Sequence, residues 1–156
     1  MTPADAISIL DAEIVDIKSR INGISFNDGK YIERSGDYLK ENAIKTLQEI
    51  GCRESTLRAI KNISFENRFS GHFAYQFYDQ REVEAGLERC FQEGINAIID
   101  ILQQEREHFI RIKQDQEKQK ENVIQKRNNR IQIWTLITSI VAIILSAISL
   151  GFTIFS

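Results

Sequence analysis

IWTLITSIVAIILSAISLGFTIF, residues 133 to 155, runs for 23 residues without a charge. Thirteen of them are Ile, Leu, Val or Phe. At a rise of ~1.5 Å per residue, a helix of this length spans about 35 Å, enough for a hydrocarbon core of ~30 Å with some tilt. On an insertion scale of roughly −0.3 to −0.6 kcal/mol per such residue, the thirteen contribute about −4 to −8 kcal/mol before the costs of Ser and Thr. A buried core helix would be shorter and interrupted by charge. The stretch therefore predicts a transmembrane helix, over residues 131 to 155 once its flank is included.

The flanks give the orientation. Lys126, Arg127 and Arg130 precede the apolar run, and nothing basic follows it. Basic residues near a membrane end stay cytoplasmic, so the N-terminal side is expected in the cytosol, as in a single-pass protein of a bacterial inner membrane. Trp134 stands where an interfacial aromatic anchor belongs. Met1-Thr2-Pro3-Ala4-Asp5 carries an early acid and no apolar stretch, so no signal peptide is read there. With Ser156 alone beyond the span, insertion is expected to be post-translational, as for a tail-anchored protein.

Charge is unevenly distributed. The formal net charge is −2, yet residues 126 to 156 carry three basic groups and no acid, which leaves −5 on residues 1 to 125. An acidic soluble part argues against nucleic-acid binding, because phosphate neutralisation supplies most of that affinity. Each basic residue near anionic headgroups contributes ~1 kcal/mol, so a lipid bilayer is the expected partner. Cys52 and Cys90 form no CxxC and have no neighbouring His in sequence, so reduced, buried thiols in a reducing compartment are expected and no metal or cofactor is implied. His72 and His108 belong to no HExxH or nucleophile-elbow pattern, and no enzyme is read here.

Pro3 is the only proline, so no later helix is interrupted that way. Thr2 can cap, Pro3 suits the first helical position, and Asp5 favours the positive helix start. Ile7, Leu10, Ile14, Ile17, Ile21 and Ile24 then follow spacings of 3, 4, 3, 4, 3, a seam that serves either the domain core or a second chain. Gly23 marks the end. Asn27-Asp28-Gly29 is a turn signal, and a loop is expected over Phe26 to Asp37. A second helix is predicted from near Ser35 to before Gly51, burying Leu39, Ala43, Leu47 and Ile50, and a short third one over Arg53 to Ile63, burying Leu57, Ile60 and Ile63.

Phe65, Phe69, Phe73, Tyr75, Phe77 and Tyr78 form the densest aromatic patch. Its plain reading is hydrophobic core. Its sharper reading is a pocket of Arg68, Phe73, Tyr75, Phe77 and Arg81 that stacks a planar ligand and holds a phosphate. From about Gln80 the chain reads as one long helix. Ile95, Leu102, Phe109, Gln116 and Val123 fall at a, with Ile98, Glu105, Ile112, Gln119 and Lys126 at d. Gly86 and Gly94 mark places where another backbone could approach. Lys113 to Asn122 is too polar for a dry core and reads as a solvated stalk. In the span, Thr135, Thr138, Ala142, Ser146, Ser149 and Thr153 share one face, and Ala147 with Gly151 adds small-xxx-small spacing. Close packing and hydroxyl bonds across such a face favour self-association.

The expected architecture is all-α: a small cytosolic helical domain over residues 1 to 104, a charged coiled-coil-like stalk and basic juxtamembrane segment over 105 to 130, and the membrane helix. Ile7, Leu10, Ile14, Ile17, Ile21, Ile95, Ile98, Leu102, Phe109 and Ile112 are the candidate oligomer seam. In layout this resembles prokaryotic membrane-disrupting immune effectors, although no motif carries the likeness. That layout implies a homo-oligomer that answers a protein partner or small-molecule signal and perturbs the bilayer. The other expectation is a tether or adaptor whose helices dock a partner.

Overall fold

A computed structural model of the protein describes residues 1–26, 29–65 and 79–154, with side chains described as far as residue 145. The described residues are all-helical and contain no strand. Four helices follow in order: α1 Pro3–Ile21, α2 Gly29–Glu49, α3 Glu54–Lys61 and α4 Gln80–Ile154. The chain divides into two compact units, Met1–Lys113 and Gln114–Ser156.

The start of α1 follows from its first residues. The Asp5 amide donates to Thr2 Oγ1 at 3.2 Å, and the Thr2 amide donates to Asp5 Oδ2 at 3.0 Å. This reciprocal capping box satisfies two amides that have no partner inside the helix. The Thr2 hydroxyl, then the Thr2 amide, hold the Asp5 carboxyl below its ordinary pKa. A depressed carboxyl stabilises the fold above its unfolded pKa, and that contribution is lost as pH falls through the lower, folded value.

α1 buries Ala6, Leu10, Ile14 and Ile17, while Ile7 is half-buried and Ile21 and Ile24 pack at the margin of the core. Leu10 and Ile17 are 0% exposed within the single chain, as are Ile95, Ile98 and Leu102 of α4. Much of the candidate seam is thus filled by the chain's own packing.

Two expectations for the middle of the unit need correction. α2 begins at Gly29, six residues before Ser35, so the part of the expected loop from Gly29 to Asp37 is helical and Ile32 joins the core. α3 is shorter than predicted and buries Thr56 and Ile60, with Leu57 and Ile63 only partly covered. Asn27 and Asp28 lie outside the described residues. α2 ends in a Schellman motif: the Cys52 amide donates to Leu47 O at 3.0 Å, and the Gly51 amide donates to Gln48 O at 3.1 Å. Gly51 takes φ 71°, a left-handed conformation that a side chain would strain.

Why α2 reads weakly as a helix near Gly36 is explained by Phe65. Its ring lies between α2 and α4, so close that a Cβ at Gly36 would stand 2.3 Å from Phe65 Cγ, and one at Gly94 2.5 Å from Phe65 Cε1. What approaches Gly94 is therefore an aromatic ring rather than a backbone. Phe65 is 3% exposed, and its centroid lies 5.8 Å from that of Phe91, which meets Phe26 edge-on at the same distance. Two helix-weakening glycines, costing ~1 kcal/mol each, are the condition for this three-ring cluster.

Gly94→Ala should therefore destabilise the protein. The gain in helix propensity of ~1 kcal/mol is outweighed by an overpacking cost of about 1–3 kcal/mol. In a Phe65→Ala background the overlap is gone, and the same substitution should stabilise by ~1 kcal/mol. Thermal unfolding of the full chain in detergent, followed by circular dichroism, measures the cycle. A Gly94→Ala protein more stable than wild type would refute the ring slot.

Candidate functional site

Two polar features of the first unit are available for function. The most buried is Glu105, 1% exposed at a d position of α4. Its Oε2 accepts from Thr56 Oγ1 at 2.8 Å, Arg53 Nη2 at 2.9 Å and Arg53 Nε at 3.3 Å. Oε1 is buried without a hydrogen-bond partner among the described residues. The carboxylate thus clamps the start of α3 to α4, while the side chain of Arg53 stays 53% exposed. The next residue, Arg106, reaches across to Asp11 of α1 at 2.5 Å. The heptad spacing places Glu105 at a d position among apolar neighbours. A buried acid requires a cation or several donors, but nothing in the sequence picks out Arg53 from 52 residues away.

Cys52 sits at this clamp, half-buried. Burial first, then the charge of Glu105, raise its thiol above the ordinary 9.0. Burial, followed by Glu93 and Glu33, raises Cys90 in the same direction. Neither thiol is poised as a nucleophile, since the thiolate is the reactive form.

The second feature is a surface groove of about 400 Å³ between the end of α1 and the start of α2, lined by Arg20, Ile24, Tyr31, Arg34, Tyr38 and their neighbours. Arg20 lies 5.8 Å from the Tyr38 ring centroid and pairs with Asp16 at 2.6 Å, which raises its pKa. This is an arginine–tyrosine site that sequence reading did not find. It placed its pocket at Arg68, Phe73, Tyr75, Phe77 and Arg81, of which all but Arg81 lie outside the described residues. Arg81 is exposed on the first turn of α4.

The second unit carries the largest chemical anomaly. Burial in α4 fades through Phe109 and Ile112, and every residue from Lys113 to Leu145 is exposed. From Ile131 to Leu145 ten large apolar side chains are each at least 43% exposed. Removing ten such groups from water is worth on the order of 10 kcal/mol, even at half the usual 1.5–3 kcal/mol each. This helix is long and apolar enough to cross a membrane, and its apolar window has no buried part.

At the upper end of that window, Arg127, Arg130, Ile131, Trp134, Thr135 and Thr138 line one shallow, open groove along the helix surface. Thr135 Oγ1 donates to Ile131 O at 2.9 Å, Thr138 Oγ1 to Thr135 O at 2.9 Å, and Ser139 Oγ to Thr135 O at 2.9 Å. These hydroxyl protons are committed to their own helix, so at Thr135 and Thr138 the nominated small-residue face offers shape rather than bonds across it. At 100° per residue, the positions of Thr135, Thr138, Ala142, Ser146, Ser149 and Thr153 share an arc of about 80°, whereas Gly151 lies about 160° from Thr135. Gly151 thus belongs to a different face. Helical backbone continues through Ser146, Ser149, Gly151 and Thr153.

No family model, curated protein or solved structure matches the chain.

The clamp predicts an asymmetry. Arg53→Met should cost about 2 kcal/mol, because it leaves the buried carboxylate with Thr56 alone. Glu105→Leu should stay within ~1 kcal/mol of wild type, because it completes the apolar d position and releases Arg53 to water. Urea unfolding in detergent compares them, and a leucine variant weaker than the methionine variant would contradict the assignment. Alkylation of the two thiols by iodoacetamide should rise with pH through midpoints above the ordinary 9.0. A midpoint at or below that value would contradict the burial that raises them.

Proposed function

We propose that this protein is a single-pass membrane protein whose N-terminal helical unit lies on the cytosolic side and controls association of its membrane helices, so that assembly perturbs the bilayer. The observation that carries the reading is the solvent-facing apolar run from Ile131 to Leu145, placed directly after Arg127 and Arg130. Lipid is the medium in which that surface stops being costly, and a helix satisfies its own backbone there. The basic side of the span is the cytoplasmic side by the usual charge bias.

Association is supported by the small-residue arc through Thr138, Ala142 and Ser146. Lipid tails give no hydrophobic drive between helices, so close approach along small side chains is the available source of affinity. The first unit supplies the control. It is acidic, with a net charge of −4 over residues 1 to 113, and carries the clamp at Glu105 and the arginine–tyrosine groove at Arg20 and Tyr38 as places where a partner protein or small signal could act. A role in prokaryotic defence is consistent with this layout and is part of the proposal.

A second reading is a tether whose span only anchors. It is favoured by one observation: the hydroxyls of Thr135 and Thr138 are already bonded within their own helix, so the span needs nothing but lipid.

Two measurements separate the readings. Sodium carbonate washing should leave the full chain in the membrane pellet, and release into the supernatant would refute both. Liposomes loaded with a self-quenched dye should leak when the full chain is inserted, and replacing Thr138, Ala142 and Ser146 together with Leu should cut leakage by about tenfold. Inserted protein without leakage would leave the tether.

A further inference from the structure

Resting on the membrane reading above, we propose that the groove of Arg127, Arg130 and Trp134 is a site for the phosphate-bearing headgroup of an anionic phospholipid, with the acyl chain lying along Ile131, Thr135 and Thr138. A diffuse attraction between basic residues and a negative surface needs no particular face. This groove has one. Arg127, Arg130, Trp134 and Thr138 are spaced three, four and four residues apart, so they climb a single side of the helix and line one shallow, open groove. Lys126, equally basic and adjacent in sequence, does not line it.

The charge of the groove is uncompensated. Arg20, Arg53, Arg58, Arg106 and Arg111 each face a carboxylate within 4.0 Å, whereas Arg34, Arg81 and Arg89, like the groove's arginines, have none among the described residues. Arg127 and Arg130 have no carboxylate partner among the described residues, and Glu121 is the last acid in the chain. A pair of guanidiniums with no acid to meet is suited to a phosphate, which each can bind in a forked, charge-assisted geometry.

The groove also changes polarity at the right level. Trp134 is 63% exposed and has one apolar body with one N–H donor, the combination found at headgroup depth. Beside and one turn below it, the Thr135 and Thr138 hydroxyl protons are bonded to backbone carbonyls, which lowers the cost of laying hydrocarbon against that wall. Phosphate above and chain below is the shape of a phospholipid rather than of a soluble anion.

Trp134 is the only tryptophan, so its fluorescence reports this groove alone. The full chain is reconstituted in phosphatidylcholine vesicles containing phosphatidylglycerol, with the acyl chains of one lipid or the other brominated. Contact quenching then gives the composition of lipid beside Trp134 relative to bulk. Brominated phosphatidylglycerol should be enriched about fivefold for each arginine that holds it. Arg127→Gln with Arg130→Gln should return the ratio to bulk, while quenching by brominated phosphatidylcholine persists and shows the variant still inserted. Lys126→Gln should keep most of the enrichment, whereas Arg127→Gln alone, which removes the same single charge, should lose most of it. Excess inorganic phosphate should leave it unchanged.

Equal loss in the Lys126 variant would overturn the site in favour of diffuse charge. Displacement by inorganic phosphate would overturn the lipid assignment, and bulk composition beside Trp134 in the wild-type chain would overturn the site outright. Failure of the underlying reading looks different: neither brominated lipid quenches Trp134, and carbonate washing releases the chain.

Discussion

Ten large apolar side chains with nothing against them are the constraint from which the functional reading proceeds. In α4 the same residue types meet opposite fates. Val83, Leu87, Phe91, Ile95, Ile98 and Leu102 are at most 1% exposed because α1, α2 and α3 supply apolar partners. Ile133, Leu136, Ile143 and Leu145 are at least 60% exposed because no other segment of the described chain packs on them. Helix propensity does not distinguish the two stretches. The surroundings do, and a stretch without protein partners needs another solvent or another chain. That these 23 residues carry no charge is what favours lipid in the reading proposed above.

The core of the first unit is specified by exceptions as much as by apolar periodicity. Leucine at position 105 would continue the seam more cheaply than Glu105 with Arg53 and Thr56. A polar group at such a position fixes which neighbour belongs there, because only a register that brings Arg53 and Thr56 to it avoids a buried bare charge. Phe65 does the same by shape. Its ring fits where two helices both carry glycine, so Gly36 and Gly94 select one arrangement of α2 and α4. Lys40 adds a third constraint, donating to Ile63 O at 3.0 Å and pairing with Asp37. Each device costs local stability and removes alternatives.

How far the sequence could be read follows from the range of each interaction. The cap of α1 was legible because Thr2, Pro3 and Asp5 act on one another within a single turn. The apolar span was legible because its signal is composition over two dozen positions. The start of α2 was not, because Gly29 and Gly36 are locally poor helix formers, and the reason for a glycine at position 36 is a ring from residue 65. The Arg53–Glu105 clamp and the Arg20–Tyr38 groove were equally hidden, since each depends on residues whose proximity is created by folding. For the groove at Arg127, Arg130 and Trp134 the residues were legible from their spacing. Their shared space, their freedom from carboxylates and the inward bonds of the threonine hydroxyls required the structure.

The two parts of the proposed mechanism differ in strength, and that difference has a consequence. Insertion draws on some thirteen apolar residues and about −4 to −8 kcal/mol, so the anchor is robust. Association at Thr138 and Ala142 draws on close packing, because the Thr138 hydroxyl is committed within its own helix and lipid tails add no hydrophobic drive between helices. A span that bound its copies strongly would assemble whenever it was made. A weakly self-associating one remains dispersed until something holds the first units together and raises the effective concentration of the attached helices. Weak packing in the bilayer is thus what would let an acidic soluble unit act as the switch.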